Sequence, residues 1–117
     1  ICIWIKGGEL VFINGKLYKF YEVLDVEYVL AVAENEQVVI DEYIKSINNW
    51  YGTKIDKVEE IYEVPYEYAK RKFELNPEIS NYPHLKNSYY TFDKLIEYVV
   101  NENNEDVCFL LMDTTDE

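Results

Sequence analysis

The chain holds one histidine, one arginine and three serines (Ser46, Ser80 and Ser88). A single histidine, His84, excludes a multi-histidine metal centre. Two cysteines, Cys2 and Cys108, are too few for a four-ligand zinc pattern or a disulfide framework. Neither GxxxxGK(S/T) nor GxGxxG occurs, and Gly7-Gly8 alone does not make a phosphate-binding loop. GxSxG is missing as well, which removes the nucleophile elbow. The lone Arg71 leaves little for bidentate capture of phosphate or carboxylate. Nucleotide chemistry and triad hydrolysis are therefore set aside, and no cofactor is expected. No run approaches the ~18 consecutive apolar residues of a membrane span. Ile1 to Ile5 stops at Lys6 and has no basic leader, so it does not read as a signal peptide; the cytoplasm is the expected compartment.

Positive charge is scarce too. The 117 residues carry 23 acidic side chains against 11 basic ones, for a net charge of −12. Binding to nucleic acid relies on Lys and Arg neutralising phosphates, so this balance argues against direct contact with DNA or RNA, and equally against an anionic membrane surface. A length of 117 residues suits one domain, and a hydrophobic content of 49% is enough to build a core. What the chain has in excess is tyrosine, 12 residues of 117. An apolar ring with a polar tip suits half-buried surfaces and interfaces. The coding bias of an AT-rich genome, which favours Phe, Tyr, Ile, Asn and Lys, accounts for the same excess.

The pattern along the chain predicts an α+β domain. Ile1 to Ile5 is a continuous apolar run, as in a strand covered on both faces. Leu10 to Ile13, the hairpin signal Asn14-Gly15 and Lys16 to Leu24 follow. Val26 to Ala33 and Gln37 to Ile40 complete a meander of four or five strands. A first helix is expected after Asp41 as N-cap, with Tyr43, Ile44, Ile47, Trp50 and Tyr51 at helical spacing and Gly52 as the left-handed stop. Ile55 to Val64 fits either helix or strand, with strand favoured because Val64 precedes Pro65. Pro65 opens a second helix through Tyr66, Ala69 and Phe73. After a long irregular stretch, Asn76 to Tyr90, Thr91 caps a third helix carrying Phe92, Leu95, Ile96 and Val99. Val107 to Met112 is a second wholly apolar strand, and Ile1 to Ile5 is its expected neighbour. The expected architecture is a mostly antiparallel sheet, the N-terminal meander plus the C-terminal strand, packed by two or three helices over one face.

Carboxylates are the remaining chemistry. Asp113, just past the apolar strand, could hold a divalent ion with Glu9, Asp41 or Asp116, but a strand leaving a core is ordinarily followed by a polar residue. Cys108 should be a buried, inert thiol; a Cys2–Cys108 disulfide would need neighbouring strands and an oxidising compartment. Charge distribution says more. Glu59, Glu60, Glu63, Glu67 and Glu74 interleave with Tyr62, Tyr66 and Tyr68, and Glu22, Asp25, Glu27, Glu34 and Glu36 punctuate the meander beside Tyr18, Tyr21 and Tyr28. Acids attract and steer a basic partner while tyrosine rings supply contact area. A solvated acidic face that keeps the protein soluble gives the same pattern. Lys70, Arg71 and Lys72 form the one basic cluster, expected to pair with neighbouring Glu on the helix.

Two functions follow as expectations. The first is a non-enzymatic binding protein that docks an acidic, Tyr-rich surface (Glu59, Glu60, Tyr62, Glu63, Tyr66 and Glu67) on a basic partner, as an inhibitor or nucleic-acid mimic. The second is a small homo-oligomeric enzyme or ligand-binding module with a pocket formed by Tyr82, His84 and Asp113.

Overall fold

The computed structural model describes residues 2–4, 11–13, 16–81, 92–103 and 107–114. Six strands and three helices run in the order β1 (Cys2–Trp4), β2 (Val11–Ile13), β3 (Lys16–Leu24), β4 (Glu27–Ala33), α1 (Glu36–Tyr51), β5 (Ile61–Val64), α2 (Tyr66–Leu75), α3 (Phe92–Asn103) and β6 (Val107–Thr114). A short 3₁₀ turn covers Pro77–Ile79. All strand pairs are antiparallel, and the main sheet has the order β5-β3-β4-β6. The first part of β3 carries the β1–β2 ribbon, in which Ile13 faces Lys16 in register. The α+β architecture, with N-terminal meander and C-terminal strand in one sheet, is as the sequence predicts.

The neighbour of β6 is different from the expected one. It pairs with β4 from Ala33↔Val107 to Glu27↔Thr114, and β1 pairs with β2 instead. The reason is burial on both faces. From Val29 to Ala33 every residue of β4 is buried, on alternate faces, so its best partner is another strand apolar on both sides. In strand order β1 and β6 are separated by β2, β3 and β4, which removes the basis for a Cys2–Cys108 bond. Cys108 itself is buried.

Helices cover both faces, not one. Phe20, Leu30, Val32, Cys108, Leu110 and Leu111 meet α2 and α3 through Tyr66, Ala69, Phe73, Phe92, Leu95 and Ile96. On the other face Tyr21, Val23, Val29, Ala31 and Ala33 meet α1 through Val39, Tyr43 and Ile47. Alternation lets β6 serve both cores, and a bulge opposite Leu30/Ala31 puts two successive residues, Leu110 and Leu111, into the one under α2 and α3. Each fully buried Leu, Ile or Phe contributes about 1.5–3 kcal/mol by leaving water.

Helix α1 starts at Glu36, so Gln37 to Ile40 is helix and not strand, and Asp41 lies inside it. The Asn35 side chain accepts the Val38 N–H at 3.0 Å, a cap that outweighs the β-branched Val38-Val39-Ile40 run once Val39, Tyr43 and Ile47 can all be buried. Gly52 ends the helix with φ 67°, a left-handed conformation in which its N–H reaches the Asn48 carbonyl at 2.9 Å. Asn48 then holds the following segment through both backbone groups of Ile55, at 2.9 and 3.0 Å. The strand reading of Ile55 to Val64 holds for its last four residues, which form β5.

Candidate functional site

The β3–β4 turn, Asp25-Val26, is flanked by two glutamates that the strands carry into the core. Glu22 is 5% exposed and Glu27 2%, so neither belongs to the solvated acids of the meander. Strand alternation sends them to opposite faces: Glu22 shares Phe20's face, under α2, and Glu27 shares Val29's face, under α1. A buried carboxylate is costly unless donors surround it, and tyrosines provide them. Glu22 Oε2 accepts the Tyr28 hydroxyl at 2.7 Å, and Tyr68 of α2 donates to both Glu22 oxygens at 2.9 and 3.0 Å. On the far face the Tyr51 hydroxyl donates to Glu27 Oε2. Tyr43 grips the Glu27 backbone, accepting its N–H and donating to its carbonyl, each at 2.7 Å.

These environments hold the phenols in their neutral form. Burial, and then the Glu22 carboxylate, push Tyr28 well above the ordinary phenol range, and burial with the same carboxylate raises Tyr68. Tyr43 is pushed up to about 12, chiefly by burial, and Tyr21 likewise to about 12 by burial and then by the charges of Glu63 and Glu36. All four therefore stay protonated over the neutral range, and Tyr28, Tyr43 and Tyr68 donate the hydrogen bonds described above.

The segment before β5 is tied to the same end of the sheet. Asp25 Oδ2 accepts the Glu59 N–H at 3.0 Å, and the Leu24 N–H donates to the Glu60 carbonyl at 2.9 Å. Glu59 and Glu60 are both exposed there, Glu59 beside Lys57 at 3.2 Å. Tyr62 stands directly opposite Glu22 in the β3–β5 register and is 51% exposed. Glu67 is exposed in the first turn of α2, next to Tyr68. The ends of β3 and α1 add exposed Leu24, Val26, Trp50 and Tyr51.

The six predicted contact residues thus divide. Glu59, Glu60 and Tyr62 meet at the β3–β4 turn, and Glu67 is exposed on the adjoining helix. Glu63 faces the opposite side of the sheet, across from Tyr21 and 3.8 Å from Lys19, because it follows Tyr62 on a strand. Tyr66 is not a surface residue: it packs at 6.0 Å from Phe20 and 5.6 Å from Phe92, ring centre to ring centre, in the core. Of the second predicted set, Asp113 lies opposite Tyr28 on β6, half-buried, while Tyr82 and His84 lie outside the described residues. Asp41 is exposed on α1; Glu9 and Asp116 lie outside the described residues. Among the described residues no group of three His, Cys, Asp or Glu is placed to hold a metal ion, and no helix is long and apolar enough to cross a membrane.

Sequence reasoning missed Glu22, Glu27, Tyr43 and Tyr51 as partners. The available signal was an acid beside a two-faced apolar stretch in each strand: Glu22 between Tyr21 and Val23, and Glu27 at the head of Tyr28 to Ala33. No protein-family model, curated protein or solved structure matches the chain, so the site is read from its own geometry.

Proposed function

We propose that the chain is a binding protein that docks the acidic, tyrosine-bearing end of its sheet on a basic surface of a partner protein. The observation that carries this reading is the pair Tyr51 and Tyr68. The two residues are 44% and 42% exposed while their hydroxyls are tied to the buried carboxylates of Glu27 and Glu22. An exposed ring with its polar end already fixed loses little freedom on binding, which is what a preorganised contact needs. Trp50 beside Tyr51 on the α1 face and Tyr62 opposite Glu22 on the α2 face add exposed aromatic area, and exposed Asp25, Glu59, Glu60 and Glu67 supply negative charge. A net charge of −12 steers a cationic partner toward the chain and accelerates its approach. Occupation of a partner's nucleic-acid groove, as an inhibitor or mimic, is the specific form this reading favours.

The test is capture from nuclease-treated lysate of the source cells on the immobilised chain, with elution along a salt gradient. The expected result is a basic protein released at moderate salt whose own nucleic-acid binding the chain blocks. Recovery of the bait alone, or of proteins indifferent to salt, would contradict the reading.

A further inference from the structure

Lys72 stands one helical turn after Tyr68 on α2, so both side chains lie over the same strip of the sheet. Its Nζ is 5.3 Å from the centre of the Tyr28 ring, 6.0 Å from that of Tyr68 and 4.0 Å from Glu22 Oε2. A carboxylate floor beside two electron-rich rings is the composition that receives an alkylammonium group, by charge and by cation–π attraction. Three details mark the present occupant as replaceable. At 4.0 Å the ammonium is beyond hydrogen-bond reach of the carboxylate, so Lys72 compensates the charge without satisfying the acceptor. Among the described hydrogen bonds Glu22 Oε1 accepts only that from Tyr68, leaving capacity for another donor. The Lys72 side chain is itself 39% exposed, so the cage opens to solvent.

We infer that Glu22, Tyr28 and Tyr68 form a cage for a primary alkylammonium group, that Lys72 is its resident occupant, and that a lysine side chain of the basic partner displaces it. The source of that lysine rests on the docking proposal above. Exchange of one ammonium for another keeps a cation beside Glu22 before and after the step, while Tyr28 and Tyr68 go on donating to the carboxylate. Tyr62, exposed and opposite Glu22 in register, borders the route by which a partner's side chain would arrive. Because the resident is tethered, its effective concentration is high, and a free ligand competes poorly until it is removed.

The experiment titrates Nα-acetyl-lysine N-methylamide into the whole chain while following tyrosine ring signals by NMR. In Lys72→Met the Tyr28 and Tyr68 signals should shift saturably, with an affinity about tenfold or more above wild type. The norleucine analogue, which lacks the ammonium, should leave them in place. Adding Glu22→Gln should abolish the response; should that variant fail to fold, Tyr68→Leu, which removes a half-exposed ring of the cage and one donor to Glu22, should also abolish it, read at Tyr28. Rings that ignore the probe in Lys72→Met, or respond equally to norleucine, overturn the cage, as does an affinity that Glu22→Gln and Tyr68→Leu leave unchanged. A lysine-rich peptide titrated in parallel separates the two proposals. Salt-dependent peptide binding indifferent to Lys72→Met and Glu22→Gln keeps the docking surface and overturns the cage. Entry of the small probe without any peptide binding overturns displacement by a partner's lysine.

Discussion

Glu22 and Glu27 sit on either side of one turn, equally deep and on opposite faces of the same sheet, yet their surroundings differ. Beneath α1, Glu27 is joined to its helix at two levels: Tyr51 holds the carboxylate and Tyr43 clamps the backbone from within the core. Beneath α2, Glu22 is held by Tyr28, by the half-exposed Tyr68 and by a lysine that reaches in from solvent. The same residue type at similar burial thus gives a structural fastening on one face and an addressable group on the other. Each carboxylate is held by a half-exposed ring, Tyr51 or Tyr68; what separates them is the further contact, a buried Tyr43 clamped on the Glu27 backbone against a lysine reaching Glu22 from solvent.

Variants on the two faces should therefore separate by size of effect. Tyr43→Phe should cost most, about 2–4 kcal/mol, because it strands a buried N–H and a buried carbonyl of Glu27 together. Urea unfolding checks it: the midpoint should fall with the slope unchanged. A loss below about 1 kcal/mol would show that the clamp is not structural. Tyrosines on both faces, Tyr28 and Tyr68 as well as Tyr21 and Tyr43, should also set the alkaline limit of stability. Tyr21 and Tyr43 have folded values near 12 against an ordinary 10.0, so their contribution is complete below pH 10 and lost as pH rises toward 12. A stability profile that is flat from pH 10 to 12 would contradict their burial as neutral phenols, and in Tyr43→Phe the decline should be shallower. Tyr68→Phe removes one donor from Glu22 at a half-exposed position and should cost about 1 kcal/mol. Lys72→Met should change stability least, by about 0–1 kcal/mol, since a partly exposed ion pair at 4.0 Å is weak and screened by salt. If Lys72→Met proved as damaging as Tyr43→Phe, the contrast between the two glutamates would collapse.

How much of this was legible beforehand follows from how far apart the interacting residues lie. Helix α2, its opening at Pro65, the Gly52 stop and the apolar face of α3 were readable because each depends on residues within a turn or two of one another. The start of α1 was misplaced because Val38-Val39-Ile40 reads as strand by local preference, whereas the Asn35 cap and the fit of Val39 against the sheet decide otherwise. Pairing of β6 with β4 was missed because two apolar runs, at the ends of the chain, looked alike, and the third candidate, Glu27 to Ala33, begins with an acid. That acid was the informative residue. In sequence Glu22 and Glu27 read as surface charge, and nothing local shows that tyrosines 46 and 24 positions away cover them. For the site, clustering of Glu59, Glu60 and Tyr62 was legible as composition. Its division was not, since Glu63 and Tyr66 are separated from it by strand alternation and by the aromatic core.

The most direct test of the docking surface compares two ends of the molecule. One variant combines Glu59→Gln, Glu60→Gln and Tyr62→Ala beside the β3–β4 turn; the other combines Glu34→Gln and Glu36→Gln at the opposite end of β4. Affinity for the captured basic partner would be measured across a range of salt. The first variant should weaken binding by about 2 kcal/mol or more and flatten the salt dependence, and the second should stay near wild type. Unchanged affinity in the first variant, or an equal loss in the second, would contradict the assignment of this end of the sheet as the contact surface.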